Sequence, residues 1–196
     1  MKKFLLMTCM FVQPVFAEPF TVSGEDVSYN AESIEDEHPS LLLDIIKRHK
    51  DISRLVIEYN LGGNIDVAKE MIYIIMDAGL DTHVEYLCAS SCVDLFIAGK
   101  KRTISDPSHI GLHRSKIHSE ELEKFYLDNR SYNGWANTYD LGSFLYGFGQ
   151  EMAANDVDYY TSRGVDLQFV IRILLTDEDD EWYPTHEELK EAGVIN

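Results

Sequence analysis

Three short stretches of this chain carry residue types that do chemistry when they meet. The first is Cys88-Ala89-Ser90-Ser91-Cys92, preceded by the alternating segment Val84 to Leu87 and followed by a short apolar run, Val93 to Ala98, closed by Gly99. A strand that stops in small residues turns sharply, and a short apolar run with glycine just past its end reads as a buried helix. Strand, tight elbow and helix lift a serine out of a sheet and set the N–H groups of the next helical turn beside it, where they can hold an anion. The second stretch ends a later alternating run in an imidazole, His113; the third is the pair Gly62-Gly63, directly after another strand. Serine is a poor nucleophile until a neutral imidazole takes its proton, and the tetrahedral intermediate that follows needs preorganised donors. Together the three stretches point to acyl transfer.

Each has a plainer interpretation. Gly62-Gly63 serves equally as a tight strand-to-helix turn, although missing side chains also let a substrate backbone approach and leave a main-chain N–H free for an oxyanion. His113 is one of seven histidines, and a lone histidine is usually a surface or satisfied core group. Its place on the strand after the elbow helix makes it a candidate base. His109 and His113 are four apart, but on a strand that is about 13 Å, so the two cannot share a metal. Cys88 and Cys92 flank the elbow, either as a disulfide closing a very small loop or as two buried thiols acting as small hydrophobes. No further ligand stands at metal spacing, and neither a zinc site nor a cofactor is expected.

The elements that must position these groups begin after a leader. Residues 1–17 hold two lysines, an apolar run from Phe4 to Phe16 and the exit Val15-Phe16-Ala17, the pattern of a cleaved secretory signal. The run is too short to span a bilayer and contains Gln13 and Pro14. Cys9 follows Met7 and Thr8, a poor lipoprotein site. Removing the leader takes away Lys2 and Lys3, so the formal charge of −17 falls by two more. Nucleic acid is thereby an unsuitable partner. Residues 18–196 suffice for one domain, in a periplasmic or extracellular setting where cysteines oxidise.

Phe20-Thr21-Val22 and Val27-Ser28-Tyr29 suggest a first strand or hairpin. Pro39 opens a helix with Leu41, Leu42, Ile45 and Ile46 on one stripe and Lys47 and Arg48 at its C-terminal end. Leu55-Val56-Ile57 reads as a buried strand. The helix after Gly63 starts near Asn64 or Asp66, is expected to bury Ile65, Ala68, Ile72, Ile75 and Met76, and stops at Gly79. This βαβ unit is repeated once by the elbow.

Asn60-Leu61-Gly62-Gly63, Ala89-Ser90-Ser91 followed by Leu95 to Gly99, Gly111-Leu112-His113, and Glu187-Glu188-Leu189 to Ala192-Gly193-Val194-Ile195 together resemble the Clp-protease-like branch of the crotonase superfamily. Secreted members with a Cys-Ala-Ser-x-Cys elbow are the nearer likeness. It covers Ile52 to His113 and, more weakly, the last ~15 residues; residues 114–176 match nothing quotable. The resemblance implies an α/β fold, a ClpP/crotonase-like spiral of ββα units. It implies Ser90 as nucleophile, His113 as general base, and the backbone N–H groups of Gly63 and Ser91 as the oxyanion hole. The third triad member falls in Asp177-Glu178-Asp179-Asp180-Glu181-Trp182, where the family places an aspartate before an aromatic residue and the closing helix. Asp180 is the choice, with Asp179 behind it, although an acidic run is ordinarily a solvated loop. The chain departs from the family in three places. Asn60-Leu61 replaces Ser-Pro before the glycines, Ser91 and Cys92 replace a hydrophobic residue and glycine, and Asp94 brings a charge into the elbow helix.

The aromatic-rich segment 126–148 fits a subunit contact, a hydrophobic lip for substrate or a small satellite core. Three functions follow. One is an exported serine peptidase acting on peptides or unfolded polypeptide, with homo-oligomers compatible. Another is a non-catalytic binding module whose elbow is a disulfide-fixed turn. The last, an acyl-CoA enzyme using the same N–H groups, is argued against by the export signal.

Overall fold

The computed structural model describes residues 18–117 and 119–196, so the expected leader at 1–17 lies outside the described residues. Of the two alternatives, a first strand or a hairpin, the chain forms the hairpin: strands β1 (Phe20–Ser23) and β2 (Asp26–Asn30) pair antiparallel from Phe20↔Tyr29 to Ser23↔Asp26. Helix α1 (His38–Arg48) follows with proline in its first turn and two basic residues in its last. Its stripe is narrower than the sequence suggests: Leu42 is buried and Ile45 and Ile46 pack on the core, while Leu41 is exposed.

From here the chain builds parallel sheet. Strand β3 (Arg54–Asn60) pairs with β2, and β4 (Asp81–Ala89) pairs with β3 from Arg54↔Asp81 to Asn60↔Cys88. Between them α2 (Ile65–Ala78) is capped by the Asn64 side chain on the Asp66 and Val67 N–H groups and ends at Gly79 in the left-handed conformation, φ 65°. The face it buries is Val67, Ala68, Met71, Ile72 and Ile75, whereas Met76 is exposed and Ile65 half-buried. Helix α3 (Ser91–Ile97) follows β4 after the elbow. Two short strands then line up along the far side of β4, β5 (Arg102–Ile104) on its first half and β6 (His109–Gly111) on its second. The sheet order is β1-β2-β3-β4-β5, with β6 beside β4.

Leu55 and Ile57 of β3, Val84 of β4 and Ile110 of β6 meet Met71 and Ile75 of α2 and Leu95 and Phe96 of α3 in one core. Alternate burial along β3 and β4 is the period-two signature of strands packed on one face.

Beyond β6 the chain is helical: α4 (Ser119–Asn133), α5 (Thr138–Ser162), α6 (Leu167–Leu175), a 3₁₀ turn (Glu178–Asp180) and α7 (His186–Glu191). Helix α4 buries no side chain in the main core. Instead Phe125, Tyr126, Trp135, Phe144 and Phe148 stack on one another between α4 and α5, a satellite cluster, with Tyr132, Tyr139 and Tyr146 left in solvent. No helix among the described residues is long and apolar enough to cross a membrane.

Two arginines fasten the elbow helix to the rest. Arg163, just past α5, donates to the carbonyls of Ile97, Ala98 and Gly99, the free acceptors at the end of α3. Arg102, 3% exposed, donates to the carbonyls of Gly99, Arg163, Gly193 and Val194. The Asn196 N–H then closes onto the Arg102 carbonyl, covering the edge of β5.

Candidate active site

Because β3, β4 and β6 are parallel, their C-terminal ends share one edge of the sheet, where ligands of open α/β folds ordinarily bind. β3 delivers Gly62-Gly63 to that edge, β4 delivers Ser90-Ser91, and β6 leads into His113. The registers Asn60↔Cys88 and Ala89↔Gly111 set the three loops side by side.

Ser90 has φ 56° and ψ −135°, and among the described residues it alone combines a side chain with positive φ. Its N–H donates to the Gly111 carbonyl at 3.0 Å, and its carbonyl accepts from the Val93 N–H at 2.9 Å. Both cysteines are sealed in the core and joined, with Cα atoms 5.4 Å apart, so the disulfide alternative holds over that of free thiols. Ser90 itself is half-buried and its hydroxyl has no partner among the described residues. Ser91 differs: it is buried and its hydroxyl donates to the Gly63 carbonyl at 3.2 Å, which leaves only its N–H available, at the open first turn of α3.

Gly62 (φ 92°) lies flat against the elbow. A Cβ there would come 2.7 Å from Ser90 Cβ and 3.0 Å from the Ala89 carbonyl oxygen and the Ser91 nitrogen. At Gly63 (φ 145°) it would come 2.7 Å from Ser33 Oγ and 2.8 Å from the Ile34 nitrogen. Ile34 bridges to Gly63 and donates its N–H to the Gly62 carbonyl. The glycine loop is braced by Asn60, fully buried, whose Oδ1 accepts the Gly62 N–H at 2.8 Å while Nδ2 donates to the Ala31 carbonyl at 2.7 Å. Gly62's donor is thereby occupied. The Gly63 N–H has no acceptor among the described residues.

His113 is half-buried, and its Nδ1 lies 2.8 Å from the Arg114 carbonyl. A carbonyl only accepts, so the neutral ring carries its proton on Nδ1 and presents Nε2 as the basic nitrogen. No hydrogen bond joins His113 to Ser90. Resting geometry at catalytic hydrogen bonds is often long and tightens with substrate. The Arg114 N–H in turn donates to the Thr176 carbonyl, and Leu112 and Trp182 exchange both backbone hydrogen bonds.

Of the acidic run, Asp177 pairs with Arg114, and Asp179 lies 3.9 Å from Lys116. Asp180 is exposed, and its carboxylate makes no hydrogen bond or ion pair among the described residues, with His113 or any other group. Glu181, in contrast, is drawn in. The antiparallel Leu112↔Trp182 pairing puts Glu181 across from His113 on the same face. Its Oε1 occupies the space over Gly111, 2.5 Å from where a Cβ would stand. The other oxygen accepts from the Tyr183 hydroxyl, and that hydrogen bond pushes the phenol up to about 12. Only glycine at position 111 leaves this room, and a glycine inside a strand pattern is the signal that marks such an approach.

Asp94, the charge in the elbow helix, is held by two tyrosines of α5. It is half-buried under the elbow, its Oδ1 accepting from the Tyr160 hydroxyl and its backbone carbonyl from Tyr159, both at 2.7 Å. Burial, with the Asp156 charge beside it, raises its carboxyl to about 7 against the hydrogen bond from Tyr160 and the Lys69 ammonium. The folded chain therefore keeps a proton that the unfolded chain gives up, so this stabilisation is complete at acid pH and drains away as pH rises toward 7. Asp94→Asn is expected to flatten that part of the stability curve. Calorimetry should find the variant melting several degrees above the parent at pH 8, at about 3 °C per kcal/mol, and level with it at pH 4.

No protein-family model matches the chain, and no curated protein does. Among solved structures the chain is similar to a point mutant of ClpP1 from Listeria monocytogenes, with a TM-score of 0.56 and 14% identity over 88% of this chain and 90% of that one. The fold is thus the α/β architecture of the ClpP/crotonase type that the sequence motifs imply.

Proposed function

We propose that this chain is an exported serine hydrolase, a peptidase acting on short or unfolded peptides, with Ser90 as nucleophile and His113 as general base. The observation that carries the proposal is Ser90 itself, held with φ 56° at the shared sheet edge beside a glycine loop with an unoccupied N–H. Strain of about 1–3 kcal/mol in a non-glycine residue persists where the surroundings enforce it, and such sites cluster where chemistry is done. In the proposed reaction His113 Nε2 takes the Ser90 proton as Oγ attacks the peptide carbonyl. The oxyanion is held by the Gly63 and Ser91 N–H groups, and the imidazolium returns its proton to the leaving amine; water then repeats the sequence on the acyl-enzyme. No cofactor enters this scheme. Without an energy-driven unfoldase outside the cytoplasm, folded proteins are poor substrates; a homo-oligomer is compatible with the scheme.

One observation favours the second reading, a non-catalytic binding module: the missing Ser90–His113 hydrogen bond. A fluorophosphonate probe separates the two. Labelling at Ser90, identified by peptide mapping and lost in Ser90→Ala, supports the hydrolase. A folded protein that takes no label between neutral and mildly alkaline pH is the binding module.

A further inference from the structure

The elbow is closed by a bond that encloses almost nothing else. Cys88 is the last residue but one of β4 and Cys92 the second of α3, so their disulfide surrounds Ala89, Ser90 and Ser91 alone. These are the strained residue and the neighbour whose N–H faces the same edge. A ring this small lies at the low end of what disulfides contribute by restricting the unfolded chain. It ties together two elements that sequence already makes adjacent. Its main effect is therefore local, on which conformations Ser90 can adopt. A serine freed of the bond gains by relaxing toward φ < 0, opposed by the hydrogen bonds to Gly111 and from Val93, by the Ser91 hydroxyl on the Gly63 carbonyl and by Gly62 packed against the elbow.

The body of α3 does not depend on the bond. Arg163 holds its last carbonyls, Tyr159 and Tyr160 hold Asp94, and Leu95 and Phe96 are fully buried.

We infer that the Cys88–Cys92 disulfide is a redox latch on the elbow: oxidised, it holds Ser90 in its left-handed conformation; reduced, it leaves the sheet and α3 in place and frees the turn. Formation removes two electrons and two protons from the two thiols, taken up by a disulfide oxidant such as oxidised glutathione, which leaves as two thiols. A dithiol such as dithiothreitol reverses the step and is itself oxidised to a cyclic disulfide. Both cysteines are 0% exposed, so exchange in the folded state is slow and the latch is set as the chain folds. In its consequence the inference rests on the hydrolase reading. A serine site that assembles only in an oxidising compartment stays silent while the chain is in the reducing one where it is made.

The test compares the purified chain, refolded with oxidised glutathione or with dithiothreitol throughout, and the variant Cys88→Ala/Cys92→Ala. Hydrogen exchange of the amides from Cys88 to Val93 is expected to speed up about tenfold or more in the reduced chain and the variant, with far-ultraviolet dichroism unchanged. Fluorophosphonate labelling of Ser90 should fall in parallel. Equal exchange in all three overturns the latch, even if all three label and the hydrolase reading stands. Faster exchange with no labelling in the oxidised chain keeps the latch and overturns the hydrolase. If both reduced chain and variant fail to fold, the bond is a general stabiliser and the latch is wrong.

Discussion

His113→Ala is expected to lower the rate of fluorophosphonate labelling at Ser90 by roughly 10³-fold or more, while the melting temperature stays within about 2 °C of the parent. The asymmetry follows from what the ring touches. One nitrogen is bound to the carbonyl of the next residue, and the other has no partner among the described residues. Little packing is lost with the side chain, because a half-exposed group whose hydrogen bond is to its own neighbour contributes little to the core. The proposed chemistry, in contrast, has no second imidazole beside Ser90 among the described residues. His109 opens β6, whereas His113 lies past the end of that strand; His109 is exposed and stacks edge-on against Tyr183, so His109→Ala should change labelling less than twofold. Labelling in His113→Ala within tenfold of the parent would mean that the imidazole is not the base.

The parts of this site that the sequence reveals are those specified by neighbours along the chain. The elbow follows from small residues between an alternating segment and an apolar run, the α2 caps from Asn64 and Gly79, and the disulfide from two cysteines one helical turn apart beside a strand end. The parts it hides depend on partners far away in the chain. Helix α2 buries Val67 and Met71 in place of Ile65 and Met76 because the sheet, and not the helix's own stripe, decides which face turns inward. Asn60-Leu61 looks like the loss of a stiffening proline until Ala31, 29 residues before Asn60, supplies a carbonyl for the Asn60 amide and makes it the brace of the glycine loop. Glu181 is similarly invisible: one acid in a run of five before Trp182, distinguished only when the Leu112↔Trp182 pairing fixes the loop register and Gly111 opens space above the strand. The same pairing turns Asp180 outward.

That register bears on the second large effect expected, among the carboxylates. Asp180 is the acid that the family resemblance names, and Glu181 is the one that lies across from His113. Glu181→Gln is expected to slow Ser90 labelling by roughly 10²-fold, and Asp180→Asn, the removal of an exposed unpaired charge, by less than twofold. A hundredfold is less than the roughly 10⁴-fold that a triad aspartate supplies where it alone fixes the imidazole tautomer. Here the Arg114 carbonyl already accepts from Nδ1, so the tautomer survives without a carboxylate. What Glu181 has left to contribute is a negative charge near the imidazolium as it forms, worth about 2–3 kcal/mol in a partly desolvated setting. A readout independent of catalysis shows that the charge has gone. Tyr183 is held at about 12 by its hydrogen bond to Glu181, and in Glu181→Gln its ionisation, followed by ultraviolet absorbance, should move back toward the ordinary tyrosine value. If Tyr183 shifts and labelling does not, the site runs as a Ser90–His113 dyad oriented by a backbone carbonyl. If Asp180→Asn is the damaging change, the 3₁₀ turn at Glu178–Asp180 must close over His113 when substrate binds, and the triad acid is the one the resemblance names.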